Sequence, residues 1–204
     1  MKGNFYTLGF AAVLGAVCAL LLTVTASFTQ PYQDANKEAE ERLNILKALN
    51  VPLAPGVTAG QLVEIFNANV QTQIQAGEEL YLYSPPQSGG TVEAVAVRFS
   101  GPGLWGPIKG FLALESDRRT IRGITFYEQE ETPGLGGEIV SAGFRQQFVG
   151  KKIVAQDSSA GVVIRVGGSS LSNGVDAITG ATMTCDKVQA MLNDVIKLIV
   201  EESN

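Results

Sequence analysis

Apolar positions run almost unbroken through residues 5–28 (FYTLGFAAVLGAVCALLLTVTASF), and no charged side chain lies between Lys2 and Asp34. A helix of that length crosses about 30 Å of hydrocarbon, so the pattern predicts a transmembrane helix. A cleaved signal peptide would carry a shorter apolar core and a small-residue cleavage site, for which Ala26-Ser27-Phe28 is a poor match. Gly9, Ala12, Gly15, Ala16 and Ala19 recur at about one-turn spacing along the span. They either admit a second helix closely or reflect only how common Gly and Ala are in such helices.

Past the span the pattern becomes amphipathic. Ala35, Ala39, Leu43, Leu46 and Leu49 fall at helical spacing among charged residues, which predicts a helix over 34–49 with Asp34 as N-cap and Pro52 as its stop. A second short helix is expected over 58–66 with Thr58 as its cap, and Tyr81-Leu82-Tyr83 reads as a strand. Residues 85–90 form a loop by composition. The runs 92–99, 110–115 and 120–127 read as strands, the last two joined at Asp117-Arg118-Arg119. A helix over 138–149, a strand over 161–166 and an amphipathic helix over 184–202 complete the chain. Grouped strands with flanking helices predict an α+β domain around a largely antiparallel sheet, preceded by one N-terminal transmembrane helix.

Composition narrows the chemistry. Fifteen basic against 20 acidic side chains give a net charge of -5, the wrong sign for a phosphate backbone, so no nucleic acid is expected. Histidine is absent, which removes the commonest metal ligand and the usual general base. No metal site and no catalytic side chain are expected; the chemistry is assigned to a cofactor. Cys18 in the apolar span and Cys185 near the C-terminus are read as unpaired. No Gly-x-Gly-x-x-Gly follows a strand, so a nicotinamide-binding unit is not supported. Lys37, Arg42 and Lys47 after the span slightly outweigh Lys2 and the amino terminus before it, a weak bias toward a cytoplasmic domain.

Three segments carry candidate chemistry. Asp176-Ala177-Ile178-Thr179-Gly180-Ala181-Thr182-Met183-Thr184 directly precedes the last helix, where free amides and the helix dipole favour a bound phosphate. Thr182 or Thr184 would serve equally as an ordinary helix cap. Glu130-Glu131-Thr132-Pro133-Gly134-Leu135-Gly136-Gly137-Glu138 enters a helix through three glycines, suited either to a flat ligand or to a turn and cap. Gly103-Leu104-Trp105-Gly106-Pro107-Ile108-Lys109-Gly110 holds the only tryptophan, placed either to stack on a flat ring or to fill a gap.

Taken whole, residues 176–184 resemble the flavinylation motif Ser/Thr-Gly-Ala-Thr of the FMN-binding domain family, with Thr182 as acceptor, Thr179 as the variable first position and Asp176 as the preceding acidic residue. Glu131-Thr132-Pro133-Gly134-Leu135-Gly136 resembles the second hallmark of that family. The Gly103 to Gly110 pattern is more similar to the NqrC branch of the family, found in Na+-translocating NADH:quinone oxidoreductases, than to the RnfG branch of Rnf-type complexes. Gln33-Asp34-Ala35-Asn36-Lys37 and Asn44-Ile45-Leu46 extend the likeness over nearly the whole chain. It departs in a compact region before the 92–99 strand and at Cys185, where a small hydroxyl residue is usual.

The resemblance implies one FMN per chain, joined through its phosphate to the Thr182 hydroxyl by a separate, magnesium-dependent flavin transferase that splits FAD and releases AMP. Gly180, Ala181, Met183 and Thr184 would neighbour the phosphate, Glu131, Thr132, Leu135 and Gly136 the ring or ribityl chain, and Leu104 and Trp105 the ring. The expected organisation is an anchor over 1–30, a helical connector and start of the soluble domain over 31–90, and the FMN-binding domain over 91–204. Implied partners are membrane lipid, the transferase during maturation and the other membrane subunits of an Nqr- or Rnf-type complex, which would oxidise NADH and reduce quinone. The family also implies a single-pass protein of the cytoplasmic membrane with its domain on the extracytoplasmic side, against the weak charge bias. Two alternatives are an RnfG-type protein acting between ferredoxin and NAD, and a non-flavin extracytoplasmic binding or assembly module.

Overall fold

Successive side chains of a strand point to opposite faces, and the central strands use that alternation to serve two cores. In β3 (Ala94–Pro102), Val95, Val97 and Phe99 enter one core while Ala94 and Ala96 enter the other. In β4 (Pro107–Glu115), Ile108, Leu112 and Leu114 join the first set and Phe111 and Ala113 the second. The computed structural model describes residues 2–75, 77–155 and 160–202. Together with β1 (Val70–Gln75), β2 (Glu78–Tyr83) and β5 (Ile121–Glu128) these strands form a five-stranded sheet in the order β1-β2-β3-β4-β5, antiparallel throughout. The expected α+β class with a largely antiparallel sheet is the observed one.

Each face of the sheet is covered by helix. On one face lie Ile45, Leu46 and Leu49 together with Leu62 and Phe66 of α2 (Ala59–Asn69), packed on Tyr81, Tyr83 and Phe111. On the other lie Val188, Leu192 and Ile196 of α4 (Thr182–Glu202), together with Phe144 and Phe148. The α2 helix starts as the sequence foretold: the Thr58 hydroxyl accepts from the Gln61 amide, and the Gln61 side chain accepts from the Thr58 amide, a reciprocal cap.

Two local expectations are corrected, and two strands were not foreseen. Residues 34–49 are not a separate helix capped by Asp34; α1 runs continuously over Lys2–Ala48 with Pro31 inside it. No glycine occurs between Gly15 and Gly56, and Pro31 removes one amide donor without supplying a turn. The chain divides into two compact units, Met1–Ala39 and Glu40–Asn204. The 138–149 helix is in fact a 3-10 turn (Gly136–Val140) followed by the short α3 (Ala142–Gln146). Ser141 separates them because its backbone is extended and its hydroxyl accepts the Phe144 amide at 3.3 Å, starting a new helix. Edge strand β1 was not foreseen, since Val70 is its only fully buried residue and its remaining positions are mostly exposed polar ones. Nor was β7 (Gly174–Asp176), which pairs in parallel with β6 (Val163–Arg165) and is too short to leave a periodic signal.

Candidate functional site

Three chain segments meet at one mouth. The β3–β4 hairpin closes through Gly103 and Gly106, whose backbone groups bond at 2.8 Å, and this turn presents Leu104 and Trp105. The strand β5 runs out into Glu131 and Thr132, where the Thr132 carbonyl accepts the amides of Leu135 and Gly137 and folds the glycine segment back. The third segment is the start of α4, reached through Gly180 at φ +78°, a left-handed conformation that favours glycine. Between them lies a cavity of about 240 Å³ lined by Leu104, Trp105, Glu131, Thr132, Leu135, Gly136, Gly180, Ala181, Thr182, Met183 and Thr184.

The cavity is polar at its floor and apolar at its rim. Leu104, Trp105, Leu135 and Met183 are all exposed, Trp105 by 69%, so the tryptophan fills no gap in the core. Glu131 is only 4% exposed and Thr184 only 2%. The Thr184 hydroxyl donates to Glu131 Oε2 at 2.6 Å, and Glu131 Oε1 accepts the Leu104 amide at 2.6 Å and the Trp105 amide at 3.4 Å. No lysine or arginine lines the cavity among the described residues. The first amides of α4, those of Thr182, Met183 and Thr184, have no intrahelical acceptor, and the helix dipole adds partial positive charge there. An anionic group at this mouth would therefore meet amides rather than cations.

Two candidates lie off the cavity wall. Asp176 ends β7 and accepts the Ser169 amide at 3.0 Å; that bond, with the Ser169 hydroxyl, holds its carboxyl below the ordinary range. Thr179 is exposed on the connection to α4. Cys185, where the sequence departs from the expected pattern, is buried behind the helix start and its sulfur accepts the Ile178 amide at 3.4 Å. Burial pushes its thiol pKa up. Sequence reasoning named Gly103 within its motif but gave it no role: a Cβ there would lie 2.5 Å from Glu131 Oε1. Nothing local marks that contact, because it exists only once the hairpin tip is folded against residue 131. Among the described residues no cluster of His, Cys, Asp or Glu is placed to hold a metal ion.

The family model for the FMN-binding domain matches residues 103–197, beginning at this hairpin tip and ending in α4. The NqrC component of the Na+-translocating NADH-quinone reductase of Pasteurella multocida is 29% identical over 224 aligned positions, covering 89% of this chain and 85% of that protein. Residues 103–197 thus match the FMN-binding domain family. The same component from Vibrio anguillarum is 43% identical over 105 residues, half of this chain and 41% of that protein. A crystal structure of its counterpart from Parabacteroides distasonis superposes with a TM-score of 0.67 at 27% identity, covering 81% of this chain and 92% of that one. The Shewanella oneidensis NqrC structure, at 23% identity and a TM-score of 0.64, supports the fold alone. All three cavity segments fall inside the stretch matched by the FMN-binding model.

Proposed function

We propose that this chain is the membrane-anchored NqrC component of an ion-translocating NADH:quinone oxidoreductase and carries FMN as a phosphoester on Thr182. One observation carries the reading: Thr182 is exposed at the mouth of a cavity whose walls are the two motif segments and the Leu104-Trp105 tip. In the attachment, the Thr182 oxygen displaces AMP from the FMN phosphorus of FAD, forming one P–O bond and breaking another, and the hydroxyl proton leaves with the AMP phosphate or solvent. That reaction belongs to the transferase, which needs an accessible hydroxyl.

The residues present fit such a group. The diester phosphate, singly negative, would lie against the amides of Thr182, Met183 and Thr184, with no lysine or arginine on the wall among the described residues. Leu104, Trp105, Leu135 and Met183 offer apolar and aromatic surface for the flat ring. Bound flavin supplies one- and two-electron chemistry, and the protein contributes tethering, orientation and local dielectric.

The helix α1 contains an apolar stretch long enough to cross a membrane, starting at Phe5 and exposing its side chains. We assign it as a single-pass anchor in the cytoplasmic membrane, with the domain on the extracytoplasmic side. Partners are membrane lipid, the remaining subunits of the complex, and the flavin transferase during maturation.

Coexpression with a flavin transferase followed by a denaturing gel tests the attachment. A fluorescent band is expected for the natural chain and for Thr179→Ala, and none for Thr182→Ala. Fluorescence that survives Thr182→Ala would overturn the assignment.

A further inference from the structure

Glu131 is placed to do something other than touch a ligand. Its two carboxylate oxygens are already engaged: one by the Thr184 hydroxyl at 2.6 Å, the other by the backbone amides of Leu104 and Trp105. The protein also leaves space for this carboxylate on both sides. A Cβ on Gly103 would lie 2.5 Å from Oε1; a Cβ on Gly136 would lie 2.7 Å from Oε2 and 2.5 Å from the Thr184 hydroxyl. Two of the site's glycines therefore border one buried acid, and the three bonds it makes cross between the β3–β4 hairpin, the segment after β5 and the first turn of α4.

We infer that Glu131 is a positioning residue: a latch that holds the Leu104-Trp105 tip against the start of α4 and occupies the Thr184 hydroxyl, so that the neighbouring Thr182 alone is presented for modification. This rests on the reading of Thr182 as the FMN acceptor, and it adds how that acceptor is selected and how the cavity is kept assembled. A carboxylate accepting several hydrogen bonds holds its donors strongly, and a loop whose amides lose their acceptor gains freedom on the nanosecond scale.

Trp105 is the only tryptophan, so its fluorescence anisotropy decay reports the hairpin tip without labelling. Full-length chain is made without transferase for the anisotropy and with it for flavin incorporation. Glu131→Ala and Thr184→Val should each speed the Trp105 decay and slow flavin incorporation about tenfold, and the double variant should lose no more than either single one. Glu131→Gln, whose amide oxygen can accept the two backbone amides and whose NH2 can donate to Thr184, should restore most of both signals. If Glu131→Ala does not fold, Thr184→Val with an unchanged circular dichroism spectrum carries the test. Wild-type anisotropy and wild-type incorporation in a folded Thr184→Val or Glu131→Ala chain would overturn the latch. Anisotropy needs no flavin, so a failure of the latch is distinguishable from flavin retained in Thr182→Ala, which would overturn the acceptor.

Discussion

Thr182 and Thr184 stand two residues apart in the first turn of α4 and meet opposite surroundings: Thr182 is exposed at the cavity mouth, while Thr184 is buried and spends its hydroxyl on Glu131. A helix turns about 100° per residue, so two positions apart is enough to turn one side chain outward and the other inward. The same residue type thus has one accessible hydroxyl and one structural one.

From that contrast, peptide mass mapping of transferase-treated protein should find the FMN adduct on Thr182 alone. Thr184→Ser keeps a hydroxyl for Glu131 and should retain the adduct at Thr182. An adduct on residue 184 or 179 of the natural chain would contradict the accessibility argument.

Two glycines should respond oppositely to alanine. Gly123 of β5 faces the end of α1, and a Cβ there would run into the Ala48 carbonyl oxygen. Gly123→Ala should therefore destabilise the domain by about 1–3 kcal/mol, the usual cost of overpacking against a backbone that cannot yield. Gly60 lies in α2 with open space around it, so Gly60→Ala should stabilise by about 0.5–1 kcal/mol. Thermal unfolding of the two variants checks the signs.

Asp117 gives a pH-dependent test. Burial alone would raise its pKa, but the Thr120 hydroxyl, the amides of Arg119 and Thr120, and Lys152 outweigh it and bring it from 3.8 to about 2. A pKa depressed by folding adds stability above the unfolded value and loses it as pH falls through the folded one. Asp117→Asn should therefore unfold at a lower temperature than the natural chain near neutral pH, and the gap should close between pH 3.8 and about 2. A gap that is independent of pH would show that the charge is irrelevant to the turn.

Cys185 should resist alkylation. It is 1% exposed and burial pushes its thiol up, away from the reactive thiolate. Iodoacetamide at mildly alkaline pH should leave it unmodified in the folded chain and label it after denaturation, as read by peptide mass.

Much of the fold was legible from local pattern. The strands around 92–99, 110–115 and 120–127 were readable because their apolar residues fill both faces of a central sheet, and the observed β3, β4 and β5 overlap those runs with ends shifted by up to three residues. The Thr58 cap was legible because capping chemistry lies within four residues of sequence. Edge strand β1 was not, since exposed polar positions such as Gln71, Thr72 and Gln73 are set by pairing with β2 rather than by burial. The break at Ser141 was missed for a related reason: helical spacing continued through it, and only the fold decides whether a serine hydroxyl caps or points to solvent.

The sequence by itself determined the apolar N-terminal helix, the central strands and the helix that follows the Thr182 segment, because each is a matter of neighbours along the chain. Only the tertiary structure decided that Glu131 reaches Thr184 and the Leu104 amide, that Gly103 and Gly136 border its carboxylate, and that Thr182 stays open while Thr184 closes. Those relationships join residues 27 and 53 positions apart. Hydrogen bonds across such separations are fixed by how hairpin, turn and helix pack around a shared core, and no local propensity encodes them.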